Sequence, residues 1–549
     1  MVVASSKSKS PAAPDWWRGA VIYHIYPRSF RDASGDGVGD LRGILERLDY
    51  IESLGVDAIW ISPFVRSPMR DFGYDVSNYC DVDPLFGTLD DFTELLAAAH
   101  ARGINVLIDQ VFSHTSNEHP WFLESRSGPD NPKADWYVWA DPKPDGAPPN
   151  NWLSIFGGSA WQWEPRRGQY YLHNFLREQP DLNFHSPAVR AAVLEVCKFW
   201  FDLGVDGFRL DVCPFYFHDA ELRDNPVNPK RPKGRHFMFN PHTLQLQRYN
   251  VAQPENLAFL EEMRALADAA EGRVLLGELH EIEGLDLLRD YTAPGRLHMA
   301  YGYWLLGAEK IDASLIADLA RALHLDEAGG VPCWSLDNHD FIRIQTRLGL
   351  DAASHDLPLA LLAALSCMPG SLCLYQGGEL GLEQAEIPYE RLIDPYGREF
   401  YPAFEGRDGS RTPMPWTEKD EHCGFSATEP WLPIPETHRR RAVSIQDTEP
   451  GSYLNRLRRF FAWRKQYPEF QSGGFELMPR DDEVLAFSRT LGTESILCLF
   501  NFTADEVRVE MNEAQLGAKL RGHGFGAARE HGIVRLPAWG AYFGKREKR

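Results

Sequence analysis

The stretch SPAVRAAVLEVCKFWFDLGVDGFRLDV, residues 186–212, contains a helix signal followed directly by a strand signal. The serine–proline pair that opens it is typical of a helix start. The run FRLDV at residues 208–212 is short and bounded by glycine and proline, as expected for a buried strand. Because side chains alternate faces along a strand, Arg209 and Asp211 point to the same side. An arginine and an aspartate on one face of a core strand require an explanation.

The same helix-then-strand unit occurs twice earlier in the chain. LRGILERLDYIESLG leads into VDAIWISP at residues 56–63, and LDDFTELLAAAHARG leads into INVLIDQV at residues 104–111. VLLGEL (274–279) and VPCWSL (331–336) are further apolar strands, each reached through a helical segment. All-apolar strands alternating with helices indicate a parallel sheet covered by helices. Over roughly 450 residues, this α/β pattern favours a closed (β/α)8 TIM barrel over an open sheet.

Two stretches depart from this pattern. The segment between His114 and Ser186 is rich in Pro, Asn, Gly and Trp, which predicts a subdomain inserted after the third strand. Near the C-terminus, EVLAFSRT, ESILCLFNF and EVRVEMN alternate as antiparallel strands do, which predicts a C-terminal antiparallel β-domain. We therefore expect a disordered tail over residues 1–14 and a barrel in two pieces, 15–114 and 187–474. We expect the inserted subdomain over 115–186 and a C-terminal β-sandwich over 475–549.

Composition restricts the partners of the chain. Its 57 Lys and Arg against 78 Asp and Glu give a net charge of −21, whereas nucleic acids and anionic membranes require a basic patch. No run of apolar residues is long enough to predict a membrane span. The 8 cysteines show no CxxC spacing and several lie in apolar runs, which is typical of buried thiols in a reducing compartment. We expect a cytoplasmic monomer or homodimer that acts on small neutral molecules.

Ionisable residues gather where the predicted strands end, which is the catalytic face of a TIM barrel. They are Asp109, His114, Arg209, Asp211, Glu278, His339 and Asp340. A single arginine–aspartate pair is more often structural, but three strand-end carboxylates with two histidines favour a functional site. We expect Arg209 to hold Asp211 ionised as a nucleophile, and Glu278, which lacks such a partner, to stay protonated as a general acid. Glycoside hydrolysis uses this division of labour.

The chain resembles the α-amylase superfamily, glycoside hydrolase family 13, over nearly its whole length. The motifs that carry the resemblance are IDQVFSH (108–114), QPDLN (179–183), GFRLDV (207–212), GELHE (277–281) and LDNHD (336–340). QPDLN is similar to the signature of the oligo-1,6-glucosidase and α-glucosidase subgroup rather than of endo-amylases. YHIYPRSF, FGYDVSNY, LHMAYGYWLL, LYQGGELGL and GRDGSRTPMPW agree with the family as well.

The resemblance implies a role for each matching residue. Asp211 would be the nucleophile, Glu278 the general acid/base and Asp340 the stabiliser of the transition state. The residues that would hold the non-reducing-end glucose are Asp75, His114, Arg209, His339 and Arg407. Those that would form apolar walls are Tyr74, Phe156 and Phe175, with Gln179 near the aglycone; packing of the inserted subdomain explains the two phenylalanines equally well. The implied reaction retains configuration, with the two reacting carboxyl groups roughly 5–5.5 Å apart.

The segment RDASGDGVGD, residues 31–40, resembles a calcium loop, since acidic or hydroxyl side chains alternate with glycines that permit tight turns. The ligands would be Asp32, Ser34, Asp36, Asp40 and the carbonyl of Val38. Related glucosidases usually have asparagine, a better ligand, at the position of Ser34. A Ca²⁺ or Mg²⁺ ion here would be structural, because the implied chemistry needs no metal. An ordinary acidic loop is the alternative.

Two cues to linkage preference conflict. In the subgroup, valine after the nucleophile, here Val212, accompanies α-1,6 activity. The segment CPFYFHDAELRDNPVNP (213–229) instead resembles bacterial α-glucosidases that favour α-1,4 disaccharides and transfer glucose to small alcohols and phenols. We expect an exo-α-glucosidase that acts on short maltose- or isomaltose-type substrates and also transglucosylates.

Other functions on the same fold stay open. A glucosyltransferase or isomerase of the trehalose synthase, amylosucrase or sucrose isomerase type would share every catalytic residue. A partner module like the heavy chain of amino-acid transporters is disfavoured by the intact set Asp211, Glu278 and Asp340 and by the missing span. An endo-acting amylase is disfavoured by QPDLN.

Overall fold

The computed structural model of the chain describes residues 15–230, 240–279, 284–327, 329–350, 356–478 and 483–547. The tail predicted over residues 1–14 lies outside these ranges. The apolar runs of the sequence form eight parallel barrel strands. They are β1 (Val21–Ile25), β2 (Ala58–Ile61), β3 (Asn105–Gln110), β4 (Gly207–Leu210), β5 (Val274–Leu279), β6 (Met299–Gly302), β7 (Cys333–Ser335) and β8 (Ser371–Tyr375).

These strands form a nearly closed barrel. Strands β1 to β6 pair in chain order, and β8 pairs with β1 on one side and with β7 on the other. A parallel bridge between Ala300 and Pro332 connects β6 to the segment before β7, at the remaining gap. The strands are buried along their whole length because helices cover them outside and side chains fill them inside. The predicted (β/α)8 fold is confirmed.

Strand register brings the candidate site residues to one level. Arg209 on β4 lies opposite Asp109 on β3 and opposite Leu276 on β5. Glu278, two residues beyond Leu276, lies opposite Tyr301 on β6. Because alternate residues of a strand face the barrel interior, Asp109, Arg209 and Glu278 converge there.

The helices follow the predicted pattern with one exception. Helix Leu89–Ala101 begins with a capping box between Thr88 and Asp91, and helix Pro187–Leu203 ends at Gly204, whose φ is +111°. The segment 41–55, predicted as one helix, forms two, Leu41–Glu46 and Leu48–Ser53. Between them Arg47 leaves helical geometry, because its N–H bonds the carbonyl of Ile44 three residues back. The remaining helices are Pro120–Ser125, Glu255–Asp268, Gly284–Tyr291, Ala313–Ala322, Ile344–Arg347, Leu357–Cys367, Pro395–Phe400, Glu436–Arg439, Val443–Thr448, Tyr453–Arg464, Glu469–Ser472 and Glu513–Leu516.

The segment between β3 and helix Pro187–Leu203 contains an antiparallel sheet of its own, as expected for the inserted subdomain. Its strands are Trp139–Ala140, Trp161–Glu164 and Gln169–Leu172. Trp152 and Trp161 pack in its core, whereas Trp163 is exposed on its outer face. A short antiparallel pair, Val65–Arg66 with Asn78–Val82, follows β2.

The C-terminal part consists of two antiparallel sheets. The strands of the first are Gly474–Leu477, Val484–Leu491, Glu494–Asn501, Ala541–Glu547 and Ala518–Lys519. Those of the second are Val507–Glu510, Ile533–Leu536 and Ala528–Glu530. Side chains of both sheets share one apolar cluster, for example Leu499 with Val509 and Val534. The predicted C-terminal β-domain is confirmed, while the predicted domain limits stay predictions.

The cysteines are all unpaired thiols, and seven of the eight are buried. This agrees with the interpretation of the cysteines as small core residues. In the stretches of chain that the structure describes, no helix is both long enough and apolar enough to cross a bilayer.

Candidate active site

A cavity of about 110 Å³ opens at the carboxyl ends of the barrel strands. Nine of the residues predicted from the sequence line it: Tyr74, His114, Phe156, Phe175, Asp211, Glu278, His339, Asp340 and Arg407. Three predicted residues do not line it: Asp75, Gln179 and Arg209. A larger cleft of about 590 Å³ lies between helix Ala313–Ala322 and the C-terminal sheets, and none of the predicted residues lines it. The structure therefore collects most of the predicted site at one opening of the barrel.

Arg209 lies beneath this cavity and holds three carboxylates together. Its Nη1 donates to Asp109 Oδ1 at 2.7 Å and to Asp211 Oδ1 at 2.6 Å. Its Nη2 donates to Glu278 Oε2 and, at 2.7 Å, to the hydroxyl of Tyr301. The guanidinium is completely buried. An arginine suits this position because its planar fork presents several fixed donors at once.

Three acidic groups share this one cation, and burial governs the protonation of the two aspartates among them. Burial raises the pKa of Asp211, and Glu278 and Asp109 add to this rise, while Arg209 acts in the opposite direction. Burial likewise raises the pKa of Asp109 to about 6 against the pull of Arg209. The predicted influence of Arg209 on Asp211 therefore has the expected sign, but burial outweighs it, so the net shift is upward.

Glu278 does not lack a charged partner, contrary to the expectation from the sequence. Its Oε2 accepts from Arg209 Nη2 and, at 3.1 Å, from the backbone N–H of Val212. Its Oε1 accepts from the hydroxyl of Tyr303 at 2.9 Å. From their adjacency in the sequence we expected Arg209 to contact Asp211 alone. The guanidinium also contacts Glu278, which lies on the neighbouring strand β5.

Val212 has an unusual backbone conformation at the end of β4. Its φ of +34° and ψ of +46° are left-handed, which β-branched residues rarely adopt and which costs roughly 1–3 kcal/mol. The conformation turns the chain sharply after Asp211 and directs the Val212 N–H towards Glu278. Backbone strain therefore accompanies the contact between the residue that follows Asp211 and the Glu278 carboxylate.

A second charged cluster lies across the cavity around Asp340. Its Oδ1 accepts from Arg407 Nη1 at 3.2 Å and from Arg411 Nη2 at 2.9 Å, and His339 Nε2 lies 3.3 Å from its Oδ2. Burial alone would raise the pKa of Asp340, but His339, Arg407 and Arg411 outweigh burial and lower the pKa. Arg407 also donates to Asp394 Oδ1 at 2.7 Å. Asp340 is therefore a permanent negative charge at the cavity wall.

The two predicted histidines are held by aromatic and hydroxyl neighbours. The His339 ring stacks on Tyr74, with ring centroids 5.3 Å apart and planes 9° apart. His114 donates from Nε2 to the carbonyl of Tyr74 at 2.9 Å and accepts at Nδ1 from the Ser113 hydroxyl, also at 2.9 Å. Burial lowers the pKa of His114 to about 4, and burial also lowers the pKa of His339 well below its usual value. Both imidazoles are thus neutral hydrogen-bonding groups near pH 7.

Asp71, rather than Asp75, lies in the cavity. Asp75 is fully buried, and its carboxylate accepts from the Ser67 hydroxyl and from the backbone N–H groups of Arg70 and Asp71. Asp71 lines the cavity, where its Oδ1 accepts from Arg407 Nη2 at 2.8 Å. The prediction of Asp75 came from the motif FGYD (72–75). Asp71, four residues earlier, lies just outside that motif and was not predicted.

Gln179 is buried behind the cavity wall instead of facing the aglycone. It donates from Nε2 to Asp71 Oδ2 and to the carbonyl of Tyr74, both at 3.2 Å. Phe156 and Phe175 do form apolar wall, and Phe156 packs against Tyr396 with ring centroids 5.1 Å apart. Tyr303 and Tyr396 also line the cavity, although no role was predicted for either.

The carboxylates of the predicted calcium loop accept hydrogen bonds from backbone N–H groups and a hydroxyl. Asp32 accepts from the N–H groups of Gly35 and Gly37 at 2.6 and 2.8 Å, and from the Ser426 hydroxyl. Asp40 caps helix Leu41–Glu46 through Gly43 N and also accepts from Ser34 N. No cluster of three or more His, Cys, Asp or Glu side chains with the geometry of a metal site occurs in the ranges described. The calcium site of Asp32, Ser34, Asp36, Val38 and Asp40 stays a prediction, and no chemical step below uses it.

Comparisons with known proteins identify the family. The family model described as alpha amylase, catalytic domain, matches residues 24–473. A probable alpha-glucosidase of Rhizobium meliloti (strain 1021) is 51% identical over 97% of both chains. The oligo-1,6-glucosidase of Parageobacillus thermoglucosidasius is 36% identical over 89% of this chain and 90% of its own. The crystal structure of the alpha-glucosyl transfer enzyme XgtA is 50% identical, with a TM-score of 0.91 over 98% of this chain and 99% of that one. The chain belongs to the α-amylase family of glycoside hydrolases.

Proposed function

We propose that the protein is a retaining exo-α-glucosidase that releases α-glucose from the non-reducing end of short maltose- or isomaltose-type substrates. The observation that carries the proposal is the attachment of Asp211 and Glu278 to one buried guanidinium at the bottom of the cavity. Hydrolysis of a glycosidic bond with retention requires two carboxyl groups, one on either side of the bond. The relatives named α-glucosidase and oligo-1,6-glucosidase support this substrate class.

In the first half of the proposed reaction, an oxygen of Asp211 attacks the anomeric carbon. Glu278 gives its proton to the glycosidic oxygen, which takes the electron pair of the breaking C–O bond and leaves as the aglycone. In the second half, water loses a proton to Glu278 and attacks the same carbon, which releases Asp211 and yields α-glucose. Two inversions give overall retention of configuration.

The surrounding groups bind and stabilise rather than transfer protons. The permanent charge of Asp340 opposes the positive charge that develops on the sugar ring in the transition state. Asp71 and Arg407 provide hydrogen-bonding groups for hydroxyls of the glucosyl unit, and the neutral His114 ring lines the cavity beside them. Phe156 and Phe175 exclude water from one side of the cavity, which strengthens these polar contacts.

Transglucosylation is a second activity of the same site. If an alcohol replaces water in the second half of the reaction, the glucosyl group passes to that acceptor and every protein role is unchanged. The observation that favours this activity is the 50% identity to a structure named an alpha-glucosyl transfer enzyme. An isomerase or transferase as the principal activity is the alternative, and product analysis from maltose, isomaltose and sucrose distinguishes them.

We expect Asp211→Asn and Glu278→Gln to abolish turnover of maltose, with losses of at least about 10⁴-fold, because each removes an obligatory chemical group. Glu379→Gln is the matched control, since Glu379 is equally buried but accepts from Tyr23 and Tyr50 away from the cavity. NMR of the wild-type reaction should show the α-anomer of glucose first. Native turnover in either variant, or a first-formed β-anomer, would contradict the proposal.

The partner and location of the protein are part of the same proposal. A small glucoside suits a cavity lined by carboxylates and aromatic rings, and we propose a monomer or homodimer. The eight unpaired thiols are compatible with a cytoplasmic location, where cysteines stay reduced. Native mass spectrometry and cell fractionation test these two points.

A further inference from the structure

The two oxygens of Glu278 have chemically different partners. Oε2 accepts from the Arg209 guanidinium and from the Val212 backbone N–H, and neither of these groups can accept a proton in return. A proton on Oε2 would therefore point at two N–H donors. Oε1 contacts a hydroxyl instead, that of Tyr303 at 2.9 Å, and a hydroxyl can donate or accept. When Glu278 is protonated, its proton is consequently confined to Oε1.

We propose that Oε1 of Glu278 is the oxygen that delivers and recovers the proton, and that Tyr303 is a positioning residue that holds this oxygen and favours its carboxylate form. The inference rests on the proposed function, because it assigns one atom of Glu278 to the acid/base step. Tyr303 lies in the motif LHMAYGYWLL (297–306), but the sequence predicted no role for it.

Tyr303 is built into the cavity wall in a way that suits this role. It follows β6 directly, and its ring packs edge-on against Phe341 with centroids 4.8 Å apart. Burial raises the pKa of Tyr303 well above its usual value, and the neighbouring Glu278 adds to the rise. The phenol thus keeps its proton across the working pH range and can donate it in a hydrogen bond to the carboxylate at all times.

Charged and titratable groups face Glu278 from every strand around it. Arg209 and Asp211 lie on and just after β4, Asp109 on β3, and Tyr301 on β6. The Cys213 thiol lies 3.5 Å from the Glu278 carbonyl, and Asp340 lies across the cavity. Oε1 takes no part in the interactions of Arg209, Asp211, Asp109 and Tyr301. A change confined to the Tyr303 hydroxyl therefore removes only the hydrogen bond to Oε1 of Glu278.

The proton balance of each step fixes what Tyr303 contributes. When the glycosidic bond breaks, the Oε1 proton moves to the leaving oxygen and Oε1 becomes negative. The Tyr303 hydroxyl, which keeps its own proton, donates to this new charge and stabilises it. When water attacks, one water proton moves to Oε1 and the charge on Glu278 disappears. The hydrogen bond from Tyr303 therefore stabilises Glu278 most strongly in the glucosyl-enzyme, where Glu278 is a carboxylate and acts as the base.

The test is Tyr303→Phe, which keeps the ring and removes only the hydroxyl. Without this donor the carboxylate is less stable, so Glu278 holds its proton to higher pH. We expect the alkaline limb of kcat/KM against pH to move upwards by about one unit, the value of one hydrogen bond to a charged group. We also expect kcat on maltose to fall about tenfold. The loss in kcat/KM should be smaller for 4-nitrophenyl α-glucoside, whose leaving group needs little protonation.

Tyr137→Phe is the matched control, because Tyr137 is as deeply buried and its hydroxyl contacts Thr115 at 2.7 Å outside the cavity. It should change thermal stability without moving the pH profile. If Tyr303→Phe does not fold, 3-fluorotyrosine at position 303 keeps the hydroxyl, strengthens it as a donor and should move the limb downwards. An unmoved limb with an equal loss on both substrates overturns the inference. Native turnover in Glu278→Gln contradicts the proposed function itself, so the two failures are distinguishable.

Discussion

Two charged clusters lie on opposite sides of the cavity and differ in their ratio of cations to acids. Below the cavity, the single guanidinium of Arg209 contacts Asp109, Asp211 and Glu278. At the wall, two guanidiniums, those of Arg407 and Arg411, contact the Asp340 carboxylate together. Both clusters are buried, so desolvation opposes ionisation of the acids in each. The number of guanidiniums that contact Asp340 distinguishes it from the acids around Arg209.

In the first cluster burial prevails over Arg209. In the second cluster the arginines prevail at Asp340 and Asp394, but burial still raises the pKa of Asp71 despite Arg407. Burial raises the pKa values of Asp109 and Asp211 despite Arg209. Burial would also raise those of Asp340 and Asp394, but Arg407 and Arg411 lower both, with His339 adding to the effect at Asp340. Buried acids that share one cation can exchange protons near neutral pH, while Asp340, which two guanidiniums contact, supplies fixed charge. The difference separates the chemistry of the proposed reaction from its electrostatic support.

Arg209→Met removes the cation that the three acids of the first cluster share, and we expect the largest losses of activity and stability from it. Without the guanidinium, three buried acids face one another and no cation balances them. We expect turnover of maltose to fall by at least about 10³-fold and the free energy of unfolding to fall by roughly 3–5 kcal/mol. The loss of stability should be greater at pH 8 than at pH 5, because more of the acids carry charge at pH 8.

Arg411→Met provides the matched measurement in the second cluster. Arg407 remains in contact with Asp340, so both losses should be clearly smaller than in Arg209→Met. Chemical denaturation and steady-state kinetics at the two pH values measure both variants. Equal losses in the two variants would show that the ratio of cations to acids does not govern the site.

The pair Asp71→Asn and Asp75→Asn sharpens the boundary of the second cluster. Asp71 contacts Arg407 in the cavity, so its replacement should lower kcat/KM roughly 100-fold and change the melting temperature little. Each carboxylate oxygen of Asp75 accepts a hydrogen bond from a backbone N–H outside the cavity. An asparagine has only one acceptor oxygen, so its side chain cannot accept both hydrogen bonds in this way. We expect Asp75→Asn to lower the free energy of unfolding by about 1–3 kcal/mol and kcat/KM less than tenfold. The reverse pattern would return Asp75 to the substrate site.

The barrel could be predicted because its strands are encoded locally. Apolar runs between glycine and proline, such as VLLGEL, form strands with the predicted bounds Val274–Leu279. The alternation of faces correctly placed Arg209 and Asp211 together. A helix interruption such as that at Arg47 has no comparable local signal, since the segment around it keeps a one-sided apolar pattern.

Contacts between strands could not be predicted in the same way. That Arg209 also serves Glu278 depends on the register of β4 against β5, which pairs Arg209 with Leu276. The choice between Asp71 and Asp75 depends on how one short loop folds, because the two aspartates lie four residues apart. The Tyr303 hydroxyl meets Glu278 only because β6 follows β5 around the barrel. Sequence indicated which residues carry the chemistry, whereas register and loop geometry decide which atoms meet.

Asp181 extends the comparison to an acid that has no cation in contact among the described residues. Its replacement is expected to change stability and not activity, because Asp181 does not line the cavity. Its Oδ2 accepts from the backbone and side-chain nitrogens of Asn174 at 2.6 and 3.2 Å, while its buried Oδ1 has no hydrogen-bond partner within the described ranges. Burial raises the pKa of Asp181 to about 7, although Asn174 acts to lower it. The folded state therefore binds this proton more tightly than the unfolded state does.

The sign of the resulting pH dependence follows from that difference in proton binding. Below the unfolded pKa of about 3.9, Asp181 is protonated in both states and its favourable contribution is fully present. As pH rises towards 7, the unfolded chain gives up the proton first, so the folded state loses stability relative to it. Asparagine cannot titrate. We expect Asp181→Asn to gain stability over the wild type progressively between about pH 4 and pH 7, to a plateau on the order of 4 kcal/mol above pH 7.

Urea denaturation of both proteins at several pH values between 4 and 8 measures this gain directly. Asp312→Asn is the control of opposite sign: although partial burial acts to raise its pKa, the bonds from Lys310 and the N–H of Leu315 lower the pKa of Asp312. Above about pH 4 that variant should be less stable than the wild type by a constant amount, and the deficit should shrink as pH falls below 4, where the wild-type aspartate takes up its proton. A difference between Asp181→Asn and wild type that is the same at every pH would mean that Asp181 is charged in the folded state despite having no cation beside it, and the link between cation number and protonation would then fail for this acid.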